Sequence, residues 1–338
     1  MRVLVTGGAG FVGSHTVVEL VAAGHDVHVV ENFCNSERWI VERIERLTGQ
    51  SLSLDELDIR DREAMRSSMH RFRPDAVIHF AALKSVSEST QQPASYYDVN
   101  VTGTATLLEV MREVECRQIV FSSSATVYGQ PEACPVAEGA RVDPGNPYGR
   151  TKLVGEWMIR DCASVPGAVL SAAILRYFNP VGAHPSGLIG ELPRGVPNNL
   201  APYITQTALG LRDHIRVFGD DYATPDGTGV RDYIHVVDLA KAHVAALTLL
   251  SAGEARALTL NLGTGRGYSV LELIETFSAV VGKPIPYVVQ GRRAGDIGEC
   301  WADPTLANTV LGWQAEKTLE EICADAWRWQ QACVSAAE

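Results

Sequence analysis

The sequence predicts an α/β fold, a doubly wound parallel sheet with a smaller C-terminal lobe, and three observations predict it. Short apolar runs rich in Val, Ile and Phe alternate with helical patterns through the first half, as strands covered on both faces require. The first run opens directly into a glycine-spaced loop and then a helical pattern, the βα unit of a doubly wound sheet. From Asn179 the texture changes, with Gly and Pro dense over 179–202, 218–229 and 282–286, and loops this long in a compact domain are usually functional.

Strands are expected at 2–6, 27–30, 76–80, 119–122 and 172–177, bounded by turn residues. A helix is expected at 14–23, ended by Gly24, because glycine takes the left-handed conformation that closes a helix. Further helical patterns run over 104–114 and 152–163, and apolar residues around Trp327 and Trp329 give a C-terminal amphipathic helix that packs. The expected division is 1–178 for a dinucleotide-binding domain and 179–338 mainly for a substrate lobe, with the chain returning to the sheet near 233–237.

A chain of 338 residues buries a substantial core. Its composition, 46% apolar and 20% charged, argues against disorder. A net charge of −11 sets the whole molecule against nucleic acid and anionic membrane, so anion binding must be local. No apolar run approaches the roughly 20 residues that span a bilayer, and the first residues read as a strand, not as a secretory leader. The seven cysteines (34, 116, 134, 162, 300, 323 and 333) show no CxxC pairing. They read as reduced thiols of a cytoplasmic protein with no metal site. His235 and His243 lack a third ligand in view, which favours structural roles.

Gly7, Gly10 and Gly13 form a Gly-x-x-Gly-x-x-Gly loop between the first strand and first helix. Glycine lets the backbone approach a pyrophosphate, and the helix N-terminus adds free N–H groups and a positive dipole end. Phe11 and Val12 lie within that loop. Glu31 ends the second strand, eighteen residues after Gly13. A carboxylate there accepts from both hydroxyls of an adenosine ribose and repels a 2′-phosphate, which favours NAD over NADP. Asp58 and Ile59 follow the third strand region, where an aspartate can accept from an adenine amino group or, more commonly, serve a turn.

Tyr148 and Lys152 are four apart at the start of a helical pattern, so their side chains share a face. A free tyrosine, with a pKa of about 10, is a poor base at neutral pH. A neighbouring ammonium and a cationic nicotinamide favour its phenolate, which makes Tyr148 a base for an alcohol that loses hydride to NAD. Ser122, Ser123 and Ser124 end the preceding strand, where a hydroxyl holds the same substrate oxygen.

The loop 6–13, the block 122–129 and the pair Tyr148/Lys152 resemble the extended short-chain dehydrogenase/reductase family, whose cofactor domain is a Rossmann sheet. The blocks 176–187, 197–200, 227–235 and 292–296 narrow the resemblance to the UDP-glucose 4-epimerase family, over essentially the whole chain. That resemblance implies a tightly held NAD that oxidises C4 of UDP-glucose or UDP-galactose and returns hydride to the other face of the 4-ketose. It implies Tyr148 as base and acid, Ser124 on the sugar hydroxyl, and Lys152 on the nicotinamide ribose. Phe80, Ala81, Ala82, Lys84, Ser122 and Phe178 would line the cofactor, with Asn32, Asn35 and Ser36 at its adenosine side. Val99 departs from an asparagine found in some members, so no contact is carried onto it.

Inversion in one pocket requires UDP held firmly and sugar held loosely. Arg231 and Arg293 are the candidate diphosphate donors. The resemblance adds Lys84, Asn179, Asn199 and Leu200 near the substrate, Asp296 on the uridine ribose, and Arg216, Val217 and Phe218 as a uracil wall. Cys300 falls where some relatives carry a tyrosine walling C2 of the sugar. A smaller residue there predicts that UDP-GlcNAc and UDP-GalNAc are also accepted. The helical patterns at 104–114 and 152–163 are compatible with the homodimer usual for the family. Three rival functions remain. A 4,6-dehydratase needs a carboxylate beside the catalytic hydroxyl, where this chain has Ala125 and Thr126. A 4-epimerase of UDP-xylose or UDP-glucuronate shares the core chemistry. A non-catalytic NAD-binding regulator has no need of Tyr148, Lys152 and Ser124 together.

Overall fold

The structure, a computed structural model, describes residues 1–167, 170–253, 257–293 and 295–335. The chain runs β1 (Arg2–Thr6), α1 (Phe11–Ala22), β2 (Asp26–Glu31), α2 (Trp39–Thr48), β3 (Ser53–Glu56), α3 (Arg62–Phe72), β4 (Ala76–His79), α4 (Val86–Gln91) and α5 (Pro93–Tyr97). A π-helical turn (Asp98–Thr102) leads to α6 (Gly103–Glu113) and β5 (Gln118–Ser124), and a 3-10 turn (Ala125–Tyr128) precedes α7 (Pro147–Ser164) and β6 (Ser171–Tyr177). The rest comprises β7 (Asn179–Val181), α8 (Leu200–Ala208), β8 (Ile215–Phe218), β9 (Val230–Arg231), β10 (Tyr233–His235), α9 (Val236–Ser251) and β11 (Ala257–Leu262). It closes with β12 (Tyr268–Ser269), α10 (Val270–Val281), β13 (Tyr287–Gln290), β14 (Glu299–Cys300), α11 (Thr305–Leu311) and α12 (Leu319–Ser335).

Seven parallel strands form the central sheet in the order β11-β6-β5-β4-β1-β2-β3. Successive side chains point to opposite faces, so each apolar strand feeds two cores. Val3, Val5, Val29 and Ile78 pack with residues of α1, α2 and α9. Leu4, Val30, Val77 and Phe121 pack with Met65 and Met69 of α3, Leu107 of α6 and Ile159 of α7. Strand order reverses between β1 and β4, and a doubly wound sheet binds its ligand in the crevice at the carboxyl ends beside such a point. A third core, including Ile204, Val217, Leu273 and Ile322, builds the C-terminal lobe.

The structure corrects the expected return to the sheet near 233–237. Tyr233–His235 pairs with Asn179–Val181 in a separate two-stranded ladder. The seventh sheet strand is β11, hydrogen-bonded to β6. The reason is the length of the run: three residues of strand are followed at once by α9, which packs beside α1 and carries the chain back to the far edge. His235 therefore does not share a helix face with His243. It caps α9, its Nδ1 accepting from the Val237 amide at 3.0 Å, and its Nε2 lies 3.2 Å from Asp325. His243 is buried against Tyr177, so both histidines are structural. The C-terminal helix forms as expected, and Trp329 buries its ring while Nε1 donates to the Glu191 carbonyl at 2.9 Å. Ala294, within the 292–296 block, lies outside the described residues.

Candidate active site

The glycine loop is shaped by space as well as by backbone freedom. Gly7 has φ +72°, and a Cβ there would lie 2.8 Å from the Ala81 nitrogen on the neighbouring strand end. At Gly13 a Cβ would lie 2.2 Å from the Gly7 carbonyl oxygen. Helix α1 begins here without a side-chain cap or an acidic residue in its first turn, so its amides remain available to an anion. A cradle this tight, ending on free amides, fits a pyrophosphate. Phe11 and Val12 open α1, and Lys84 Nζ stands 6.0 Å from the centre of the Phe11 ring.

The residues expected at the adenosine end assemble beside it. The Glu31 carboxylate accepts from the amides of Asn32 and Phe33 at 3.1 Å and of Ala9 at 3.3 Å. Burial raises its pKa, and those amides oppose the shift. Asn32 Nδ2 donates to Asp58 at 3.2 Å. Asp58 is held down to about 2, chiefly by the Arg60 guanidinium. Ile59 is buried behind it. Asn35 and Ser36 sit on the loop that follows Glu31. Across the switch point, Phe80 and Ala81 donate backbone N–H groups to the Thr6 carbonyl and hydroxyl, which fixes the segment carrying Ala82 and Lys84.

Ser124 ends β5 and caps the 3-10 turn. Its Oγ accepts from the Thr126 amide at 3.2 Å and from Thr126 Oγ1 at 2.9 Å. With its oxygen accepting twice, the Ser124 proton is left to point elsewhere. Tyr148 and Lys152 occupy the first turns of α7, which starts on an Asn146 cap and Pro147. Lys152 Nζ donates to the Ser122 carbonyl at 2.7 Å and stands 6.0 Å from the centre of the Tyr148 ring.

Of the two charges expected to favour the Tyr148 phenolate, an ammonium and a cationic nicotinamide, the ammonium by itself is not enough. Burial pushes the Tyr148 phenol up to about 12, and its hydrogen bond with Ser124 only opposes this. Burial also draws Lys152 down to about 7. Two ionisable groups deprived of water both retreat towards their neutral forms, so the lysine alone does not make the phenolate.

That burial has a measurable consequence. Above pH of about 10.5 the lysine is neutral folded and unfolded, and it contributes nothing. As pH falls towards 7 the unfolded chain binds a proton that the folded chain resists. The destabilisation therefore grows by about 1.4 kcal/mol per pH unit and is complete below about 7. In the cofactor-free chain, Lys152→Met removes this, although it costs about 1 kcal/mol by leaving the Ser122 carbonyl unpaired. Urea unfolding of variant and parent should show the variant's advantage at pH 7 shrinking steadily towards pH 10. A difference independent of pH contradicts the buried-lysine account.

The structure brings together several of the residues expected to meet the substrate. Arg293 stacks on Phe218, 4.4 Å from the ring centre, and its Nε donates to Asp296 at 2.9 Å. Val217 is buried in the core of the C-terminal lobe and Arg216 is exposed. Arg231 does not pair with Asp232. Its guanidinium is aimed by the carbonyls of Val230 at 2.8 Å and Ile297 at 2.9 Å. Asp232 is fully buried on the amides of Thr264, Gly265 and Ala302. Phe178 and Cys300 share a small core with Ala125, Val127 and Leu153, which sets the thiol behind the Ser124 turn. Burial pushes that thiol up to about 12, a small apolar wall and not a nucleophile. Asn179 is exposed at the start of β7. Leu200 begins α8, and Asn199 is its N-cap residue.

Four features went unread in the sequence. Asn100, in the π-helical turn, binds the Leu83 amide and carbonyl and also Thr151, tying the Lys84 segment to α7. Such turns cluster at functional sites, but a single asparagine carries no pattern. Glu191 accepts from Lys84 Nζ at 2.9 Å and Asn199 Nδ2 at 2.6 Å. Thr126 orients Ser124. Glu156, eight residues after Tyr148, buries an ion pair with Arg176 at 2.6 Å and accepts from Ser123 at 2.6 Å.

Fold and site together define an extended short-chain dehydrogenase/reductase. Residues 4–326 match the family model described as GDP-mannose 4,6 dehydratase. The UDP-glucose 4-epimerase of Bacillus subtilis is 52% identical over 99% of this chain and 98% of its own length. A crystal structure of UDP-glucose-4-epimerase from Stenotrophomonas maltophila, with bound NAD and formylated UDP-arabinopyranose, superposes with a TM-score of 0.97 at 53% identity, over 99% of both chains. The UDP-Glc/GlcNAc 4-epimerase of Campylobacter jejuni superposes with a TM-score of 0.86 at 34% identity, over 98% of this chain and 99% of its own. The chain belongs to the UDP-glucose 4-epimerase family.

Proposed function

We propose that Ser124, Tyr148 and Lys152 carry the interconversion of UDP-glucose and UDP-galactose in this chain, through a 4-keto sugar. Bound NAD supplies the hydride acceptor and, in the return step, the donor. Tyr148 takes the proton of the sugar 4-hydroxyl and gives it back after the 4-ketose has turned over. Ser124, its oxygen fixed by Thr126, donates to the reacting oxygen. Lys152 holds the nicotinamide ribose, and the positive charge that accompanies the oxidised cofactor favours the phenolate. The observation that carries this reading is the meeting of Ser124, Tyr148 and Lys152 at the end of β5 and the start of α7.

The remaining assignments rest on the same reading. Residues 1–178 form the cofactor domain and 179–338 chiefly the substrate lobe. Gly7, Gly10, Gly13, Glu31, Asn32, Asn35, Ser36, Asp58 and Phe80 hold NAD. Arg231 and Arg293 hold the diphosphate, with Asp296 and Phe218 at the uridine and Asn179 and Asn199 nearer the sugar. Among the described residues no helix is long and apolar enough to cross a membrane. The cysteines, all free, suit a reducing cytoplasm. Trp157 on α7 is 55% exposed, and a second copy pairing through α6 and α7 would cover it.

The test is incubation of purified protein with UDP-galactose and no added NAD, followed by separation of the products. UDP-glucose should form. UDP-GalNAc should be converted too, because Cys300 leaves room for the acetyl group. Absence of any product, with or without added NAD, contradicts the reading, and failure with the N-acetyl substrate alone removes only the Cys300 gate.

A further inference from the structure

Arg194 lies in the Gly/Pro-rich segment of the substrate lobe, yet all its hydrogen bonds cross to the loop that follows Glu31. Nη1 donates to the Cys34 carbonyl at 2.7 Å and Nη2 to the Ser36 carbonyl at 2.8 Å. Nη2 and Nε both reach one Glu37 carboxylate oxygen, at 2.8 and 3.1 Å. The planar guanidinium matches this multidentate arrangement, and a lysine cannot reproduce it.

The position of the clasp gives it meaning. The inner end of the 32–37 loop is fastened to the glycine loop by Glu31, which accepts from the amides of Ala9, Asn32 and Phe33. At its outer end, four hydrogen bonds from Arg194 tie residues 34–37 to the substrate lobe. The segment bearing Arg194 is itself rooted. The Glu191 carbonyl is held by buried Trp329, and its carboxylate holds Lys84 and Asn199. Gly195 follows with φ +74° and open space around its Cβ position, so glycine serves the turn there and not the packing.

We propose that Arg194 is a positioning residue that latches the adenosine-side loop and sets how long the dinucleotide stays bound. The inference rests on the assignment of NAD to this crevice. Opening the loop requires all four bonds to break together, so the latch acts on release. In a cycle that regenerates the cofactor at each turn, slow release is what lets it serve as a fixed group.

The experiment measures release of bound dinucleotide from the holoenzyme as purified, chased with isotopically labelled NAD. Arg194→Ala should release it at least about fivefold faster, as expected for a multidentate, half-exposed contact. Arg194→Lys should fall between, and Glu37→Ala, which leaves the carbonyl bonds, should show a smaller increase. The double variant should be no faster than Arg194→Ala, because both act through one clasp. If Arg194→Ala folds poorly, Glu37→Ala alone still reports, since it leaves the substrate lobe untouched. Release from both variants within twofold of the parent overturns the latch. A parent that carries no dinucleotide overturns the NAD assignment as well.

Discussion

Tyr148→Phe is expected to keep its dinucleotide and lose turnover on the order of a thousandfold, the scale of a missing general acid–base. The substitution removes one oxygen from a buried ring and leaves Lys152 bonded to the Ser122 carbonyl. Cofactor content and folding should therefore match the parent. The phenol is held up near 12 by burial in the protein alone. In the role proposed for it, Tyr148 depends on positive charge brought by the oxidised cofactor, and pH titration of the holoenzyme should find a group well below that value, lost in the variant. Turnover within tenfold of the parent, measured as UDP-galactose conversion, contradicts the role.

Glu156→Ala should cost about 3–5 kcal/mol of stability, the cost of stranding a buried charge. Arg176 is 4% exposed and gives Glu156 bonds from Nε at 2.9 Å and Nη2 at 2.6 Å. Its Nη1 continues to the Tyr128 hydroxyl at 2.9 Å, and Tyr128 donates to Asn261 at 2.7 Å. Through Ser123 the same carboxylate touches β5 one residue before Ser124. The network thus joins β5, β6, β11 and α7 beneath the site, so loss of the pair should lower activity as well as stability. Replacing both members, Glu156→Leu with Arg176→Met, should recover much of the stability lost, because no charge is then buried alone. The check is the urea midpoint of the three chains. A Glu156→Ala midpoint equal to the parent's contradicts the account.

What the sequence reveals and what it hides follow from range. The strands β1, β2, β4, β5 and β6 were legible because apolar runs between turns are local signals. β3 was legible only as a region before Asp58, without bounds, because Ser53–Glu56 is a polar edge strand whose burial is partial. β11 was missed because its place beside β6 depends on the path of α9, not on any neighbouring residue. In the candidate site, Tyr148 and Lys152 were legible through spacing along one helix, and Gly7 and Glu31 through their places in one βαβ unit. Asn100, Glu191 and Arg194 were not, because each acts on a partner 17 or more residues away in sequence. The charge balance around Tyr148 is hidden for a related reason. Spacing brings an ammonium near a phenol, but only the packed structure shows how much water both have lost.

The central claim is that hydride leaves C4 of the sugar and returns to the same carbon of the same molecule while Tyr148 carries the proton. UDP-galactose deuterated at C4, converted in ordinary water, tests this in one mass and NMR measurement of the UDP-glucose formed. The account predicts deuterium retained at C4 of the product. Deuterium lost to solvent, or scrambled to another carbon, would contradict it.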